Sequence, residues 1–495
     1  MKILNYINGR FVKSSGREKY NIYNPYTEKV IATAQKSNEE DARAAVDSAR
    51  TAFDDGRWGR LLPGDRAKIL WKIADLIEKQ SVEFAKLESL NTGKTLKYSR
   101  DSDMPFIVDN FRFFAGAARM LEGKASANYT GLGDSIIRRE PLGVVAGIVP
   151  WNYPLYIATW KLAPALAAGN TIVIKPASYT PLTLMKFLGI AEKAGVPKGV
   201  INVVTGPGEI LGKELASNPK VDMVSLTGDT STGKKIMEYS SRNIKKVHLE
   251  LGGKAPLIVM EDCDLEMAAQ GAVVGGYWNT GQDCTAVTRV YAHSKVMHKL
   301  ASRMVEIAKK FKLGDPFNRN TDMGPLISPK QRDRVEGYVE LAKREGAKVL
   351  TGGKRPGYLK KGYFYEPTIL TNVAHESRVC QEEIFGPVIS VYSYDKLDHA
   401  IEKANDVSYG LAASVYGKDI AQAMKVASNL EFGTVWINEH GALASEMPHG
   451  GFKQSGFGKD LSMYSFEEYT RIKHVYVDRV GKPRKPWHYT VYGKK

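Results

Sequence analysis

Short apolar runs rich in β-branched residues alternate with longer amphipathic runs in the middle of the chain. Between residues 143 and 251 the short runs read GVVAGIV, TIVI, VINVV, DMVSL and VHLEL, and the segments between them show helical spacing of apolar residues. Strands that alternate with helices form right-handed βαβ units, so this pattern predicts a parallel, doubly wound sheet. Ligands of such sheets bind beyond the carboxyl ends of the strands, and we expect the chemistry there.

A second alternating series follows and predicts a second α/β domain. Its β-rich runs are APLIV, VTRVYAH, PVISVYSY, LAASVYG and GTVWI, with one helix beginning at Asp264 and another near 296–312. Before both series, helical periodicity predominates after a short hairpin-like stretch. There, Ser37 and Glu40 form a capping-box signature, and a long helical pattern stops at Gly93.

Two segments fit neither predicted core. The segment ASANYTGLGDSIIRRE (125–140) alternates around Gly133-Asp134, which predicts a hairpin, and the tail DRVGKPRKPWHYTVYGKK is dense in basic residues. We expect both segments to serve an interface between subunits.

Composition narrows the class of protein. A chain of 495 residues exceeds the size of one core, and its 43% hydrophobic and 25% charged residues are ordinary for a globular protein. Apolar runs are shorter than the roughly 18 residues that span a bilayer, and the N-terminus lacks a secretory core, so we expect a cytoplasmic protein with no membrane partner. The net charge of +16 is spread along the whole chain, which disfavours a nucleic-acid partner.

The cysteines are Cys263, Cys284 and Cys380, far apart and odd in number. This arrangement argues against a disulfide framework, and no spacing typical of zinc ligands is present, so no metal is expected. Two interpretations of Cys284 stay open on this evidence: a small buried side chain or a nucleophile.

Several motifs lie at strand ends or helix starts, where doubly wound folds place their chemistry. In chain order they are PWNYP, KPASYTP, LTGDTSTG, LELGGKAP, GYWNTGQDCTAVTR, EEIFGPV and PHGGFKQSGFGK. Together, in this order and spacing, they resemble the aldehyde dehydrogenase superfamily over nearly the whole chain. The resemblance implies an α/β fold with two doubly wound parallel-sheet domains and a small β oligomerisation element.

The resemblance also implies a division of the chain. Residues 1–122 and 142–252 are expected to form the cofactor-binding domain, residues 253–465 the catalytic domain, and residues 123–141 and 466–495 an oligomerisation hairpin and tail. A homodimer or homotetramer is expected with them.

By resemblance, Cys284 is the nucleophile. Its thiolate adds to an aldehyde, the tetrahedral thiohemiacetal loses a hydride to nicotinamide, and water hydrolyses the resulting thioester. Asn152 and the Cys284 N–H are expected to stabilise the oxyanion, and Glu250 to activate the water.

The cofactor expected by resemblance is NADP or NAD, although the fingerprint GxGxxG is absent. Where many NAD-preferring relatives have a glutamate, this chain has Ser178, which no longer repels a 2′-phosphate. Asp229 departs from the family pattern near the pyrophosphate, where an acid is unfavourable. The expected cofactor-binding residues are Trp151, Lys175, Ser178, Gly208, Thr227, Gly228, Gly233, Leu251, Glu383 and Phe385.

The likeness is strongest to the aminoaldehyde branch of the superfamily, which oxidises γ-aminobutyraldehyde and betaine aldehyde. An aminoaldehyde such as 4-aminobutanal needs aromatic faces or carboxylates in its tunnel. The candidate substrate-binding residues are Tyr153, Trp160, Trp278, Asp103, Phe106, Asp109 and His449. His449 departs from the tryptophan usual in betaine aldehyde enzymes, which weakens the trimethylammonium interpretation.

Alternatives stay open. A semialdehyde or non-phosphorylating glyceraldehyde-3-phosphate dehydrogenase of the same fold would need basic residues in the tunnel. A broad aldehyde scavenger would need neither basic nor acidic residues there. A CoA-acylating relative is disfavoured because it would not need Glu250. Outside enzymes, a structural or nucleic-acid-binding protein acting through the basic tail is disfavoured by the intact Cys284, Glu250 and Asn152.

Overall fold

The β-rich runs of the first alternating series form one mainly parallel sheet. The structure, a computed structural model, describes residues 1–493. In spatial order the strands of this sheet are Gly456–Phe457, Lys246–Glu250, Met223–Thr227, Val144–Ile148, Thr171–Lys175, Ile201–Val203, Asn5–Ile7 and Arg10–Val12. The central strands are parallel and the edge strands antiparallel, which confirms the predicted α/β class for this region.

Helices cover both faces of this sheet. Those that connect its strands are Pro154–Ala168, Leu182–Ala194, Gly208–Ser217 and Thr230–Ser240. Nearly every residue of Pro154–Ala168 is buried, since helices from the N-terminal region pack on its outer side. Those N-terminal helices are Glu39–Asp54, Pro63–Lys79, Ser81–Thr92, Leu96–Tyr98, the π-helical turn Ser99–Asp103, and Met104–Ala117.

The capping box of the first helix lies one residue later than predicted. Asn38 is the N-cap, its side chain accepts from the Asp41 N–H, and Asp41 accepts from the Asn38 N–H. Ser37 instead donates its hydroxyl to Asn5. The end predicted at Gly93 is confirmed, because Gly93 has φ +82° after the helix Ser81–Thr92.

The second alternating series forms a second sheet. In spatial order its strands are Lys348–Thr351, Thr368–Thr371, Val388–Tyr394, Val287–His293, Ala255–Val259, Ala412–Tyr416 and Thr434–Ile437. All pairs are parallel except the first. The helices on it are Leu265–Tyr277, Ser294–Ala308, Pro329–Arg344, Arg378–Gln381, Leu397–Asn405 and Ile420–Asn429.

The chain crosses back to the first sheet before residue 465, within the range predicted for the second domain. The strand Gly456–Phe457 pairs with Leu249 and Glu250, and Leu461, Phe466 and Tyr469 join the apolar core around the helix Pro154–Ala168. Beside them, Lys161 Nζ donates to Asp460 Oδ2 at 2.6 Å in a fully buried ion pair. The two sheets are therefore tied together near the C-terminus by the segment that ends in the helix Ser462–Glu468.

The smaller sheets lie outside these cores. One contains Lys124–Ala127, Gly133–Pro141 and Thr470–Asp478, all antiparallel. The predicted turn at Gly133-Asp134 is wrong, because these residues begin a strand and residues 128–132 make the connection. A second small sheet contains Lys2–Ile3, Val30–Gln35 and Lys19–Tyr23, and a third pairs Tyr409–Gly410 with Phe452–Lys453. The tail has short helical turns at Pro486–His488 and Tyr489–Tyr492.

Candidate active site

Asn152, Glu250 and Cys284 come together where the carboxyl ends of the two sheets face each other. Asn152 follows the strand Val144–Ile148, Glu250 ends the strand Lys246–Glu250, and Cys284 lies between the helix Leu265–Tyr277 and the strand Val287–His293. Ligand atoms of Glu250, Cys284 and His449 lie within 4.8 Å of one another. Asn152 is buried, and its Nδ2 donates to the Gln282 carbonyl at 3.1 Å, two residues before the cysteine.

The main chain around Cys284 is held on both sides. Asp283 accepts from the Thr285 N–H and hydroxyl, both at 2.7 Å, and from the Tyr153 hydroxyl. His440 Nε2 lies 2.8 Å from the Thr285 carbonyl, which only accepts, so Nε2 carries the proton and Nδ1 accepts from the Ser414 hydroxyl. Such contacts fix the direction of the Cys284 side chain and N–H.

A close approach of two backbones explains a glycine of the LGGK motif. A Cβ on Gly253 would lie 2.0 Å from the Cys284 carbonyl oxygen, a distance that real Cβ atoms do not show. Gly253 also donates its N–H to Glu383 Oε1 at 2.9 Å. Gly253 therefore allows the loop that carries Cys284 to lie next to the segment that contains the EEIFGPV motif.

The electrostatic surroundings oppose ionisation of the cysteine. Burial raises the pKa of the Cys284 thiol well above its usual value, and the negative charges of Glu250, Asp283 and Glu383 add to that effect. The thiolate is the reactive form, so a positive charge brought into this site would favour it.

Glu250 is a buried carboxylate without satisfied oxygens. Its side chain is 1% exposed, and neither oxygen has a hydrogen-bond partner among the described residues. The nearest basic nitrogen is His449 Nε2, 3.7 Å from Oε1, beyond hydrogen-bond distance. A buried carboxylate of this kind needs a water, a substrate or an ion to complete its contacts.

A cavity of about 380 Å³ opens beside Cys284. Its acidic lining residues are Asp283 and the exposed Glu439, and its histidines are His440 and His449. Among the described residues, no lysine or arginine lines this cavity. The aromatic residues that line it are Tyr98, Tyr153, Tyr156, Trp160 and Trp278.

The aromatic side chains form a continuous wall. Tyr156 lies between Trp160 and Phe106, with ring centroids 5.4 and 4.6 Å apart, and Trp160 lies 5.3 Å from the His449 ring. Phe106 thus supports the wall from behind and does not itself line the cavity. Of the predicted substrate residues, Tyr153, Trp160, Trp278 and His449 do line it.

The structure does not bring Asp103 or Asp109 to the cavity. Asp103 is buried 2.5 Å from Lys94 Nζ, and that lysine is also 3.6 Å from Glu88. Burial raises the pKa of Asp103 to about 6, against the opposing effect of Lys94. Asp109 is exposed and accepts from the Ser445 hydroxyl at 2.7 Å.

The acid missed by the sequence analysis is Asp283. It stands directly before Cys284, inside a motif already quoted, and adjacency to the nucleophile was the available signal. Glu439 and His440 had no such signal, because they follow the last strand of the second sheet, Thr434–Ile437, far along the chain.

The predicted adenosine side of the cofactor site contains unsatisfied polar groups. Lys175 is buried, its side chain forms no hydrogen bond or ion pair within residues 1–493, and its pKa is lowered to about 8 by burial. A Cβ added to Gly208 would lie 3.4 Å from Lys175 Nζ. Thr227 Oγ1 is likewise buried without a partner, whereas the Ser178 hydroxyl donates to the Gly206 carbonyl at 2.9 Å.

The predicted nicotinamide side lies against the nucleophile loop. Trp151 and Phe385 contact edge to face with ring centroids 5.2 Å apart, and Phe385 has φ +62°. Burial raises the pKa of Glu383 to about 7, although the Gly253 N–H lowers it. Leu251 packs closely on Gly233, because a Cβ added to Gly233 would lie 2.6 Å from the Leu251 side chain. A Cβ added to Gly228 would have more room.

Asp229 has a structural reason to be an acid. It is the N-cap of the helix Thr230–Ser240 and accepts from the Thr232 N–H at 3.0 Å and from the Ser231 and Thr232 hydroxyls. Burial alone would raise the pKa of Asp229, but these hydrogen bonds outweigh it and the pKa is lowered. The carboxylate is therefore turned to its own helix.

Comparisons with known proteins place the chain among enzymes of one family. Residues 11–475 match the aldehyde dehydrogenase family. Betaine aldehyde dehydrogenase of Bacillus subtilis (strain 168) is 47% identical over 473 residues, covering 95% of this chain and 96% of that protein.

Solved structures agree with this match. Betaine aldehyde dehydrogenase from Staphylococcus aureus in complex with NAD+ superposes with a TM-score of 0.96 at 41% identity, covering 98% of this chain and 96% of that one. The NAD+ complex of an aldehyde dehydrogenase from Bacillus cereus superposes with a TM-score of 0.95 at 43% identity, covering 97% of each chain.

Proposed function

The chain belongs to the aldehyde dehydrogenase family and is an NAD(P)-dependent aldehyde dehydrogenase, and from this premise we propose that its substrate is a positively charged aldehyde, an aminoaldehyde such as 4-aminobutanal. The observation that carries the proposal is the lining of the cavity beside Cys284. Its acids are Asp283 and Glu439, its wall is aromatic, and its described residues include no lysine or arginine.

The cavity lining favours a cation over an anion on simple electrostatic grounds. An ammonium group near Asp283 gains a charge-assisted hydrogen bond, and the aromatic faces of Trp160 and Trp278 attract the same charge. A semialdehyde or a phosphorylated aldehyde would instead place its anion beside two carboxylates without a basic partner. This electrostatic cost disfavours the two alternatives with anionic substrates.

The chemistry proposed for Cys284 uses its immediate neighbours. The thiolate adds to the aldehyde carbon, and the new oxyanion accepts from Asn152 Nδ2 and the Cys284 N–H. The bound nicotinamide supplies the acceptor for the hydride that leaves the thiohemiacetal. Glu250 then takes a proton from water while the water oxygen adds to the thioester carbon. The carbon–sulfur bond breaks, the carboxylic acid product leaves, and the Cys284 thiolate is restored.

The groups that would hold the cofactor fit it. Thr227 Oγ1 is a buried donor without a partner among the described residues, and the side chain of the buried Lys175 forms no hydrogen bond or ion pair there, which suits ribose and phosphate oxygens. Glu383 would hold the nicotinamide ribose, with Trp151 and Phe385 beside the ring. Ser178 carries no charge that would repel a 2′-phosphate, so use of both NAD and NADP is part of the proposal.

An oligomer is proposed as well. The strand Thr470–Asp478 forms an edge of its sheet and exposes Ile472, Tyr476 and Val477. Exposed apolar edge strands are templates for pairing, and a second copy of this chain is the simplest occupant. Sedimentation of the wild type and of Ile472→Lys would test it; an unchanged oligomer in the variant would oppose the assignment.

The decisive test of substrate class compares aldehydes of matched length. We expect kcat/KM to be highest for 4-aminobutanal, lower for butanal and lowest for succinic semialdehyde, each measured with NAD and with NADP. Betaine aldehyde belongs in the same panel, because relatives bear that name and the cavity also suits a quaternary cation. A preference for butanal or for the anion would overturn the proposal.

Matched variants assign the charge. Asp283→Asn should raise KM for 4-aminobutanal about 5- to 150-fold more than it raises KM for butanal, the equivalent of 1–3 kcal/mol. The ratio is the measure because Asp283 also positions Cys284, an effect that both aldehydes share. Glu439→Gln, at an exposed position, should raise KM for 4-aminobutanal only about two- to fivefold. Glu446→Gln removes a nearby exposed acid outside the cavity lining and serves as the control.

A further inference from the structure

Three side chains of different chemistry converge beside the cavity. One ligand atom from each of Cys284, Glu250 and His449 lies within 4.8 Å of the others. Glu250 and His449 each have side chains 1% exposed. They come from three separate parts of the chain: the end of one strand, the loop after a helix, and the PHGG motif.

The polar atoms of this trio are unsatisfied. Both Glu250 oxygens are buried without a hydrogen-bond partner within the described chain, and so is His449 Nδ1, whereas the His449 nitrogen that lies 3.7 Å from Glu250 Oε1 is Nε2. Leaving a buried polar group without a partner costs about 1–3 kcal/mol, so the site is prepared for a ligand that contacts several of these atoms at once.

The donor set identifies the kind of ligand. A thiolate, an imidazole and a carboxylate are the ligands of zinc sites that keep one position open, whereas Mg²⁺ and Ca²⁺ prefer oxygen alone. A thiolate and a carboxylate also cancel the charge of a dication, which removes the cost of burying it. Zinc bonds of about 2.0–2.3 Å require the donor atoms to approach by roughly 1 Å, within reach of side-chain rotation.

We propose that Cys284, Glu250 and His449 form a reversible inhibitory site for Zn²⁺, with the fourth position open to the cavity. The metal would bind the sulfur that must attack the aldehyde and the carboxylate that must activate water. Zinc and aldehyde would therefore exclude each other. The site depends on His449, because without an imidazole only two ligands remain.

The test uses the full-length protein, freed of metal, and Zn²⁺ alone. Equilibrium dialysis should find about one zinc per chain that also slows alkylation of Cys284 by iodoacetamide. Co²⁺ in place of zinc should give a thiolate-to-cobalt charge-transfer band. Mg²⁺ at the same concentration should produce neither effect.

Variants separate this site from other thiols. Cys284→Ser should lose the band and the bound metal, and His449→Asn and Glu250→Gln should each weaken zinc at least about 10- to 100-fold, the loss seen when only an outer partner of a ligand is removed. Cys263→Ser, which changes a half-buried cysteine elsewhere, is the matched control.

Inhibition by zinc is then compared with each variant's own activity. Absence of bound zinc in the wild type, wild-type zinc affinity in either His449→Asn or Glu250→Gln, or loss of the metal in Cys263→Ser would each overturn the proposal. Dialysis, alkylation and the cobalt spectrum require no aldehyde, so the result is independent of the proposed substrate.

Discussion

Two buried carboxylates, Asp103 and Glu250, have opposite surroundings. Asp103 lies 2.5 Å from Lys94 Nζ, while both oxygens of Glu250 lack a hydrogen-bond partner among residues 1–493. A carboxylate already paired with a lysine stabilises the fold and cannot also attract a substrate. A carboxylate held without a partner destabilises the fold slightly and is available for chemistry.

The largest expected effect comes from changes around the unpaired carboxylate, Glu250. Cys284→Ala should abolish turnover, and Glu250→Gln should reduce steady-state turnover by about 10²- to 10⁴-fold, because the variant has no base for hydrolysis. Rapid mixing with aldehyde should still show a burst of reduced cofactor in Glu250→Gln, since the thioester forms before the base is needed. Normal steady turnover in this variant would remove Glu250 from the mechanism.

The paired site should respond in stability. Lys94→Met leaves Asp103 and Glu88 buried without a cation, which costs about 3–5 kcal/mol and should appear as a large drop in the thermal inactivation temperature. Lys97→Met is the matched control, because Lys97 forms a partly exposed pair with Asp322 worth less than about 1 kcal/mol. Equal losses in the two variants would contradict the distinction.

The cofactor side has its own unpaired group, Lys175, and a weaker effect is expected near it. Ser178→Glu places a carboxylate three residues from this lysine, where it should repel a 2′-phosphate and shift preference toward NAD by about tenfold, the equivalent of 1.4 kcal/mol. Titration of both cofactors into wild type and variant measures the shift. Binding of NAD alone by the wild type would show that Ser178 does not permit NADP.

The smallest expected effect is on the cysteine itself. The rate of Cys284 alkylation should rise with pH only above the usual thiol range, because its pKa is raised by burial and by neighbouring acids that include Asp283. Asp283→Asn removes one of those charges and should move the alkylation profile to lower pH. A profile that moves upward would contradict the charge argument.

Local patterns made the fold predictable, while long-range pairing hid part of the site. The β-rich runs marked strands because their apolar residues are buried on both faces of a parallel sheet, as in Val144–Ile148. The helix start was displaced by one residue because Ser37 and Asn38 both carry oxygens that can cap, each with an acid three residues on.

The substrate acids were assigned wrongly for a different reason. Asp103 lies near aromatic residues in the sequence, but whether it faces a cavity depends on Lys94, whose position only the folded chain reveals. The three motif residues Asn152, Glu250 and Cys284 could be named because the motifs that contain them resemble those of the aldehyde dehydrogenase superfamily. Their convergence with His449, and the unsatisfied atoms it creates, could not be read from spacing.

The buried pair of Lys161 and Asp460 bears on how the chain is made. The two residues are separated by 299 positions, and the core around Lys161 also takes Leu461, Phe466 and Tyr469. At about 5–20 residues per second, a ribosome needs roughly 15–60 s between them. During that interval the first domain has a lysine without its carboxylate partner in its interior, so it completes its folding only after the segment around Asp460 has been synthesised.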